Sequence, residues 1–264
     1  MHKMFKARGF LISKIIILIC FIKFQDAIPN VTSLNTNNVY YYFAFGSNME
    51  PTTMTALRNV NPLSSTAAIL PNHSLRFNVP GTPLLEPSWA SVEPCLSNEL
   101  ELQNEKKFFD DRQNVVHGVL YKLNQNDFRT VCRTEGVPFA YSLHQCNVIP
   151  YLGDGKDAGQ RAYHQAVAAS NYSSTVKSKR VGISAFTLRA ASTKVRNEKD
   201  IPPSSSYLSI LIKGAKEFRI DSEYVDKLQR LPIGRTIGNG FSEGMLKTAV
   251  TFSSFQKNLS KKES

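Results

Sequence analysis

Runs of β-branched and aromatic residues separated by polar breaks predict a set of short strands. The first run, Val39–Phe45, ends at the sequence Gly46-Ser47-Asn48, and a second, Val115–Leu123, has the same character. The same pattern predicts further strands over Ala67–Leu70, Ser74–Asn78, Tyr141–Pro150 and Val181–Leu188.

Apolar positions three and four residues apart predict helices between these strands. Phe128, Val131 and Cys132 share one face of a short helix that Asn126 or Asp127 caps and that stops at Glu135-Gly136. Further helices are predicted over Pro51–Arg58, around Leu211–Ala215, and from Asp221 or Ser222 with Val225, Leu228 and Leu231 buried.

Strands and helices are mixed without regular alternation, which indicates the α+β class. We expect one compact domain over residues 39–245, preceded by a polar linker at 28–38 and followed by a flexible basic tail at 246–264. Residues 80–112 are predicted to be loop. Residues 151–180 lack periodicity and are predicted to be a flexible insertion or extended loop.

The first 27 residues have a different pattern from the rest. Lys3, Lys6 and Arg8 precede a short apolar stretch that Lys14 interrupts. A basic segment followed by a short apolar core is typical of a secretory signal peptide. The alternatives are a membrane anchor formed by residues 9–22 and an organellar address. We therefore expect residues 1–27 to direct the chain to the secretory pathway or an organelle, with no stable membrane association after processing.

Composition excludes several classes of protein. The chain has 264 residues, of which 42% are apolar and 20% charged, so it is not intrinsically disordered. No apolar run approaches the ~20 residues of a membrane-spanning helix. The formal charge of +11 includes a net +4 from residues 1–29, and the other basic residues are scattered. We therefore expect no nucleic-acid partner.

The cysteines and histidines show no metal-ligand spacing, so no metal site is expected. Cys20, Cys95, Cys132 and Cys146 are too few for a disulfide scaffold. A single bridge between Cys132 and Cys146 and free buried thiols are both open.

Two local features could carry chemistry. The Gly46-Ser47-Asn48 turn between a strand and a helix leaves backbone N–H groups without helical partners, which attract a carboxylate or an oxyanion. The alternative is an ordinary cap made by Asn48. Glu135 lies at the negative end of a helix dipole, where a carboxylate is disfavoured, as suits a general base or acid. The alternative is an exposed helix end with Gly136 as its C-terminal residue.

Taken together and in order, these features resemble the γ-glutamylcyclotransferase family. The resemblance covers roughly residues 40–231, apart from the insertion. The segments that carry it are Tyr42–Met49, His117–Leu123, Arg133–Val137, Pro202–Tyr207, Lys213–Glu217 and Ser222–Leu228.

The resemblance implies a small mixed β-barrel flanked by helices, and a lyase of glutathione metabolism that releases 5-oxoproline from a γ-glutamyl compound without a cofactor. It assigns Glu135 as the general base and acid. It also assigns substrate binding to one turn and one later tyrosine, namely Tyr42, Phe43, Ala44, Phe45, Gly46, Ser47 and Tyr207. The expected partner is a small γ-glutamyl molecule, and a homodimer is an open option.

One position departs from the family. Phe45 stands where the family commonly has tyrosine, so either a hydroxyl contact with substrate is missing or the ring only packs. A γ-glutamyl amine is therefore an alternative substrate. A binding module without catalytic activity is a further alternative on the same fold.

Overall fold

The computed structural model describes residues 39–82, 84–95, 115–153, 155, 157–172, 182–191 and 199–236. Seven strands run through these residues. They are β1 (Val39–Ala44), β2 (Ser64–Pro71), β3 (His73–Thr82), β4 (Glu86–Pro94), β5 (Val115–Asn124), β6 (Tyr141–Pro150) and β7 (Ile183–Ala190).

Five strands close into a barrel in the order β1-β5-β2-β6-β7. Strand β1 runs antiparallel to β5, with Val39 opposite Asn124 and Ala44 opposite Val119. The barrel closes where β1 meets β7 in parallel, at the pair Tyr42 and Phe186. The mixed barrel of the α+β class is therefore confirmed.

Four helices flank the barrel. They are α1 (Gln125–Thr134), α2 (Ala158–Tyr172), α3 (Ser205–Glu217) and α4 (Ser222–Gln229). Between β1 and β2 the chain forms a 3₁₀ turn over Ser47–Met49 and a π-helical turn over Thr53–Leu57. Helix α1 buries Phe128, Val131 and Cys132, as the periodicity predicted.

The remaining two strands, β3 and β4, pair with each other as a separate hairpin. The prediction that residues 80–112 are loop is wrong for Glu86–Pro94, which is strand β4 and includes Trp89. Its buried face includes Glu86 and Ser88, both fully buried, so polar residues hide the apolar alternation that marks a strand.

One predicted helix boundary and one predicted loop also need correction. Asn124 caps α1 in place of Asn126 or Asp127, because its side chain accepts a hydrogen bond from the Asp127 N–H at 2.9 Å. Residues 151–180 are not entirely loop, since α2 occupies Ala158–Tyr172. Asp221 holds the start of α2, its carboxylate accepting hydrogen bonds from the Gly159 and Gln160 N–H groups at 3.1 Å.

Cys132 and Cys146 are free thiols, so of the two states left open by the sequence the structure has the free buried thiols and not the bridge. Burial raises the pKa of each thiol to about 12, which keeps both protonated. The targeting segment 1–27, the linker 28–38 and the tail 246–264 lie outside the described residues and stay predictions. Within the described residues, no helix is long and apolar enough to cross a membrane.

Helix α3 packs on the Ser47–Met49 turn through Gly214. A Cβ at this position would lie 2.6 Å from the Glu50 nitrogen and 2.7 Å from the Met49 carbonyl carbon. The two backbones therefore approach as closely as they do because this residue has no side chain. Lys213 adds an ion pair at 3.1 Å to the buried Glu50 carboxylate, which also accepts the Thr53 N–H at 2.8 Å.

We expect Gly214→Ala to destabilise the protein. In a helix interior, alanine is ordinarily more favourable than glycine by about 1 kcal/mol. Here the added methyl group collides with backbone, so overpacking should instead lower the free energy of unfolding by about 1–3 kcal/mol. Urea denaturation measures the change, with Ser209→Ala on the exposed face of α3 as the control. A Gly214→Ala protein as stable as the wild type would contradict this packing.

Candidate active site

The end of β1 and the turn after it form one wall of the site. The turn is closed by hydrogen bonds from the Met49 N–H to the Gly46 carbonyl at 2.9 Å and from the Glu50 N–H to the Ser47 carbonyl at 3.1 Å. The Tyr121 hydroxyl donates to the Asn48 carbonyl at 3.0 Å. These bonds fix the backbone at Asn48, a residue that is only 4% exposed.

Helix α1 brings Glu135 to the same place. The residue lies at the C-terminal cap of α1, where its N–H donates to the Val131 carbonyl at 3.0 Å. Gly136 then takes a φ of +70°, a conformation that suits glycine and ends the helix. The Glu135 side chain is 13% exposed, so the reading of Glu135 as an exposed helix end does not hold.

Asn48 and Arg58 hold the Glu135 carboxylate through one of its two oxygens. Asn48 Nδ2 donates to Glu135 Oε1 at 2.8 Å, and Arg58 Nη2 pairs with the same oxygen. Arg58 Nε also donates to Asn48 Oδ1 at 2.7 Å, which closes the triangle. Within the described residues, no hydrogen bond reaches Oε2. The carboxylate is therefore anchored and keeps one oxygen for another partner.

Three tyrosines surround this group. The Tyr42 hydroxyl accepts a hydrogen bond from Asn48 Nδ2 at 2.9 Å. The Tyr141 hydroxyl donates to the Ala90 carbonyl at 2.9 Å, and the Tyr207 hydroxyl accepts from the Ala90 N–H at 3.3 Å. A Cβ at Gly46 would lie only 3.1 Å from the Tyr207 hydroxyl, so the phenol crosses directly over the turn.

Burial raises the pKa of all three phenols well above its ordinary value, and the Glu135 charge raises it further. Tyr42, Tyr141 and Tyr207 are therefore neutral at physiological pH. A neutral phenol can donate one hydrogen bond. Tyr141 already donates its proton to the Ala90 carbonyl, so the hydroxyls that can stabilise negative charge on a bound molecule are those of Tyr42 and Tyr207, which act as acceptors in the bonds above.

Of the residues that the resemblance assigns to the site, the structure places Tyr42, Gly46, Tyr207 and Glu135 close together, and their roles stay predictions. Ser47 lies partly exposed at the first position of the turn. The side chains of Phe43, Ala44 and Phe45 are almost completely buried, at 0%, 0% and 3% exposed. These three belong to the hydrophobic core, which for Phe45 favours packing over a role for its ring in binding.

The sequence did not identify Arg58 or Tyr141 as site residues. For Asn48 it indicated only a hydrogen-bond donor in the turn or a helix cap. Arg58 lies one residue beyond the π-helical turn, ten residues after Asn48, and was treated as a helix end. A lone arginine at a helix end carries no signal for a partner 77 positions away. For Asn48, the one feature of the sequence that indicated a place in the site was its position in the turn after β1.

The site offers a carboxylate with one unoccupied oxygen, neutral hydroxyls, and the first N–H groups of a turn, which have no acceptor within it. This set can move a proton and bind an anion. In the described part of the chain, no group of three or more His, Cys, Asp or Glu residues could hold a metal ion. His117 contacts the Tyr151 hydroxyl at 2.5 Å and stacks on Tyr224, which accounts for its burial.

Comparisons with known proteins show which proteins the chain resembles in sequence and fold. Residues 115–228 match the model of the AIG2-like family. The γ-glutamyl cyclotransferase gliK of Claviceps purpurea is 27% identical over 176 residues, 67% of this chain and 63% of that protein. The γ-glutamyl cyclotransferase verK of Clonostachys rogersoniana is 34% identical over 121 residues, 44% of this chain and 65% of that protein. The matches thus span less than two thirds of these curated relatives.

Two solved structures share the fold. A γ-glutamyl cyclotransferase matches with a TM-score of 0.53 at 17% identity, over 81% of this chain and 99% of its own. An uncharacterized protein from Homo sapiens matches with a TM-score of 0.52 at 20% identity, over 81% of this chain and 98% of its own. The resemblance seen in the sequence is thus confirmed: the chain is similar in sequence to γ-glutamyl cyclotransferases and to the AIG2-like family over residues 115–228, and it has the γ-glutamyl cyclotransferase fold.

Proposed function

We propose that this protein is a γ-glutamyl cyclotransferase. It would convert the γ-glutamyl group of a γ-glutamyl amino acid or peptide into 5-oxoproline and release the free amino acid. The observation that carries the proposal is the Glu135 carboxylate, which Asn48 and Arg58 hold through Oε1 and which has no hydrogen bond to Oε2 among the described residues. The relatives named γ-glutamyl cyclotransferases support it.

The reaction uses a nucleophile within the substrate. The α-amine attacks the γ-carbonyl carbon, forming the new C–N bond of the five-membered ring, while Glu135 Oε2 accepts a proton from that amine. The old C–N bond then breaks, and Glu135 returns the proton to the leaving nitrogen. No water and no redox partner is consumed, so the scheme balances with one general base and acid.

Arg58 and Asn48 act by holding the carboxylate. Without them Glu135 would carry an unpaired charge at the negative end of α1, which is unfavourable. Because both bond to Oε1, the carboxylate cannot rotate freely, and Oε2 keeps one direction. Fixing a catalytic group in this way contributes to rate by avoiding reorganisation during the reaction.

The turn that follows β1 would bind the γ-glutamyl unit. The Ser47 and Asn48 N–H groups begin the 3₁₀ turn and would meet a carboxylate or the oxyanion that develops on the γ-carbonyl. Tyr207 lies across Gly46 and would contact the same unit from the opposite side. Its neutral hydroxyl suits an anionic group.

A γ-glutamyl amine is the second candidate substrate. Its one argument is the hydroxyl that Phe45 lacks where the family commonly has one, and the burial of the Phe45 ring in the core makes this the weaker candidate. A binding module without catalytic activity is disfavoured because Glu135 is present and well anchored.

We expect Glu135→Gln to abolish 5-oxoproline release. Loss of the proton acceptor should lower kcat by about 10²–10⁴-fold. The assay incubates the full chain with γ-glutamyl-alanine and with a γ-glutamyl amine, and the better substrate identifies the subclass. Glu223→Gln, on the exposed face of α4, is the matched control. Wild-type activity in a folded Glu135→Gln protein would exclude this mechanism.

We also expect the Arg58 and Glu135 substitutions to be coupled in stability. Arg58→Met strands a buried carboxylate and should lower the free energy of unfolding by about 3 kcal/mol. In a Glu135→Gln background the same change should cost much less, since no charge is left unpaired. Urea denaturation of the two single variants and the double variant measures the coupling. Additive effects would show that the ion pair has no energetic role.

A further inference from the structure

Glu86 is a buried carboxylate outside the site described above. It is fully buried at the start of β4. Its Oε1 accepts the Ser204 N–H at 2.9 Å, and its Oε2 pairs with the Ser204 hydroxyl. Among the described residues, no cation pairs with Glu86. All its partners are neutral.

These partners lead directly to Tyr207. Ser204 is the N-cap residue of α3, and its Oγ accepts the Tyr207 N–H at 3.0 Å. Two hydrogen bonds therefore connect the Glu86 carboxylate to the Tyr207 backbone. Four residues further along β4, the Ala90 N–H donates to the Tyr207 hydroxyl. Residues of strand β4 thus hold Tyr207 at two points: Glu86 holds its backbone through Ser204, and Ala90 holds its hydroxyl.

The Glu86 carboxyl group lies next to the N-terminus of helix α3. The N-terminus of a helix carries partial positive charge and attracts a carboxylate. The preceding segment is held as well, since the Ser88 hydroxyl donates to the Ile201 carbonyl at 2.5 Å. The start of α3 is therefore fixed against the hairpin.

The stability of the folded protein does not by itself explain why a carboxyl group is present at position 86. Burial raises the pKa of the Glu86 carboxyl, and the hydrogen bonds from Ser204 offset this only in part. A group whose pKa is higher in the folded protein makes folding less favourable as the pH rises through that range. Wherever the Glu86 side chain is ionised, it therefore carries a cost that a neutral residue would avoid.

We propose that Glu86 is a positioning residue for the substrate-binding Tyr207: through Ser204 it sets where the first turn of α3 begins and so places the Tyr207 phenol over Gly46. The role rests on the proposed function for its effect on catalysis. Its geometric part does not depend on that function.

Trp89 provides a readout that is independent of activity. It is the only tryptophan in the chain. Its ring meets the Tyr207 ring edge to face, with centroids 5.0 Å apart. Movement of Tyr207 should therefore change the emission of Trp89 and the near-ultraviolet circular dichroism.

The test compares Glu86→Gln with Glu93→Gln. Glu93 is a buried carboxylate on the same strand, bonded to Asn78 and Arg189. In Glu86→Gln protein with wild-type far-ultraviolet circular dichroism, we expect a shifted Trp89 emission and a KM for γ-glutamyl-alanine raised about fivefold or more, with a smaller change in kcat. Glu93→Gln should change neither. In a Tyr207→Phe background, Glu86→Gln should raise KM less than twofold further.

Each outcome decides the proposal. If Glu86→Gln does not fold, Ser204→Ala removes the same connection to Tyr207 and should give the same emission shift. Unchanged Trp89 emission and KM in a folded variant of either kind would overturn the proposal. Equal effects of Glu86→Gln with and without the Tyr207 hydroxyl would also overturn it. If the wild type releases no 5-oxoproline, the proposed function fails, while the emission of Trp89 still tests the positioning role.

Discussion

A carboxylate at the C-terminal end of a helix is held there against the helix dipole. Glu135 occupies that position at the end of α1, and the rest of the site depends on how it is stabilised. Arg58 supplies the opposing charge and Asn48 supplies a neutral donor, both to the same oxygen. The two come from the segment between β1 and β2, so one ion pair and one amide join two distant parts of the chain.

The barrel makes this meeting possible. The pairing of β1 with β5 places the Gly46 turn beside the strand that leads directly into α1. The hairpin of β3 and β4 lies outside the barrel sheet, yet through Ala90 it binds both Tyr141 and Tyr207. Gly214 lets α3 approach the turn closely enough for Tyr207 to lie over it. The site is thus assembled from backbone contacts as much as from side chains.

Sequence reasoning worked where local pattern and local chemistry coincide. Three local features each predicted their element correctly without any contact from elsewhere in the chain. They are the aromatic run before Gly46, the periodic apolar face of α1 and the glycine after Glu135. Sequence reasoning failed at β4, whose buried face includes Glu86 and Ser88, because a segment with several polar residues has the composition expected of a loop even when those residues are buried. It failed at Arg58 for a different reason: a long side chain reaches a partner that only the closed barrel brings near.

The likeness to the γ-glutamyl cyclotransferases and the geometry around Glu135 lead to one chemical claim, that the substrate's own amine is the nucleophile. Turnover of γ-glutamyl-alanine in H₂¹⁸O, followed by mass spectrometry, tests this most directly. The account predicts that the products are 5-oxoproline and free alanine in equal amounts. The 5-oxoproline should contain no more ¹⁸O than that from a reaction without enzyme. Glutamate carrying one ¹⁸O in its γ-carboxylate would show attack by water and would contradict it.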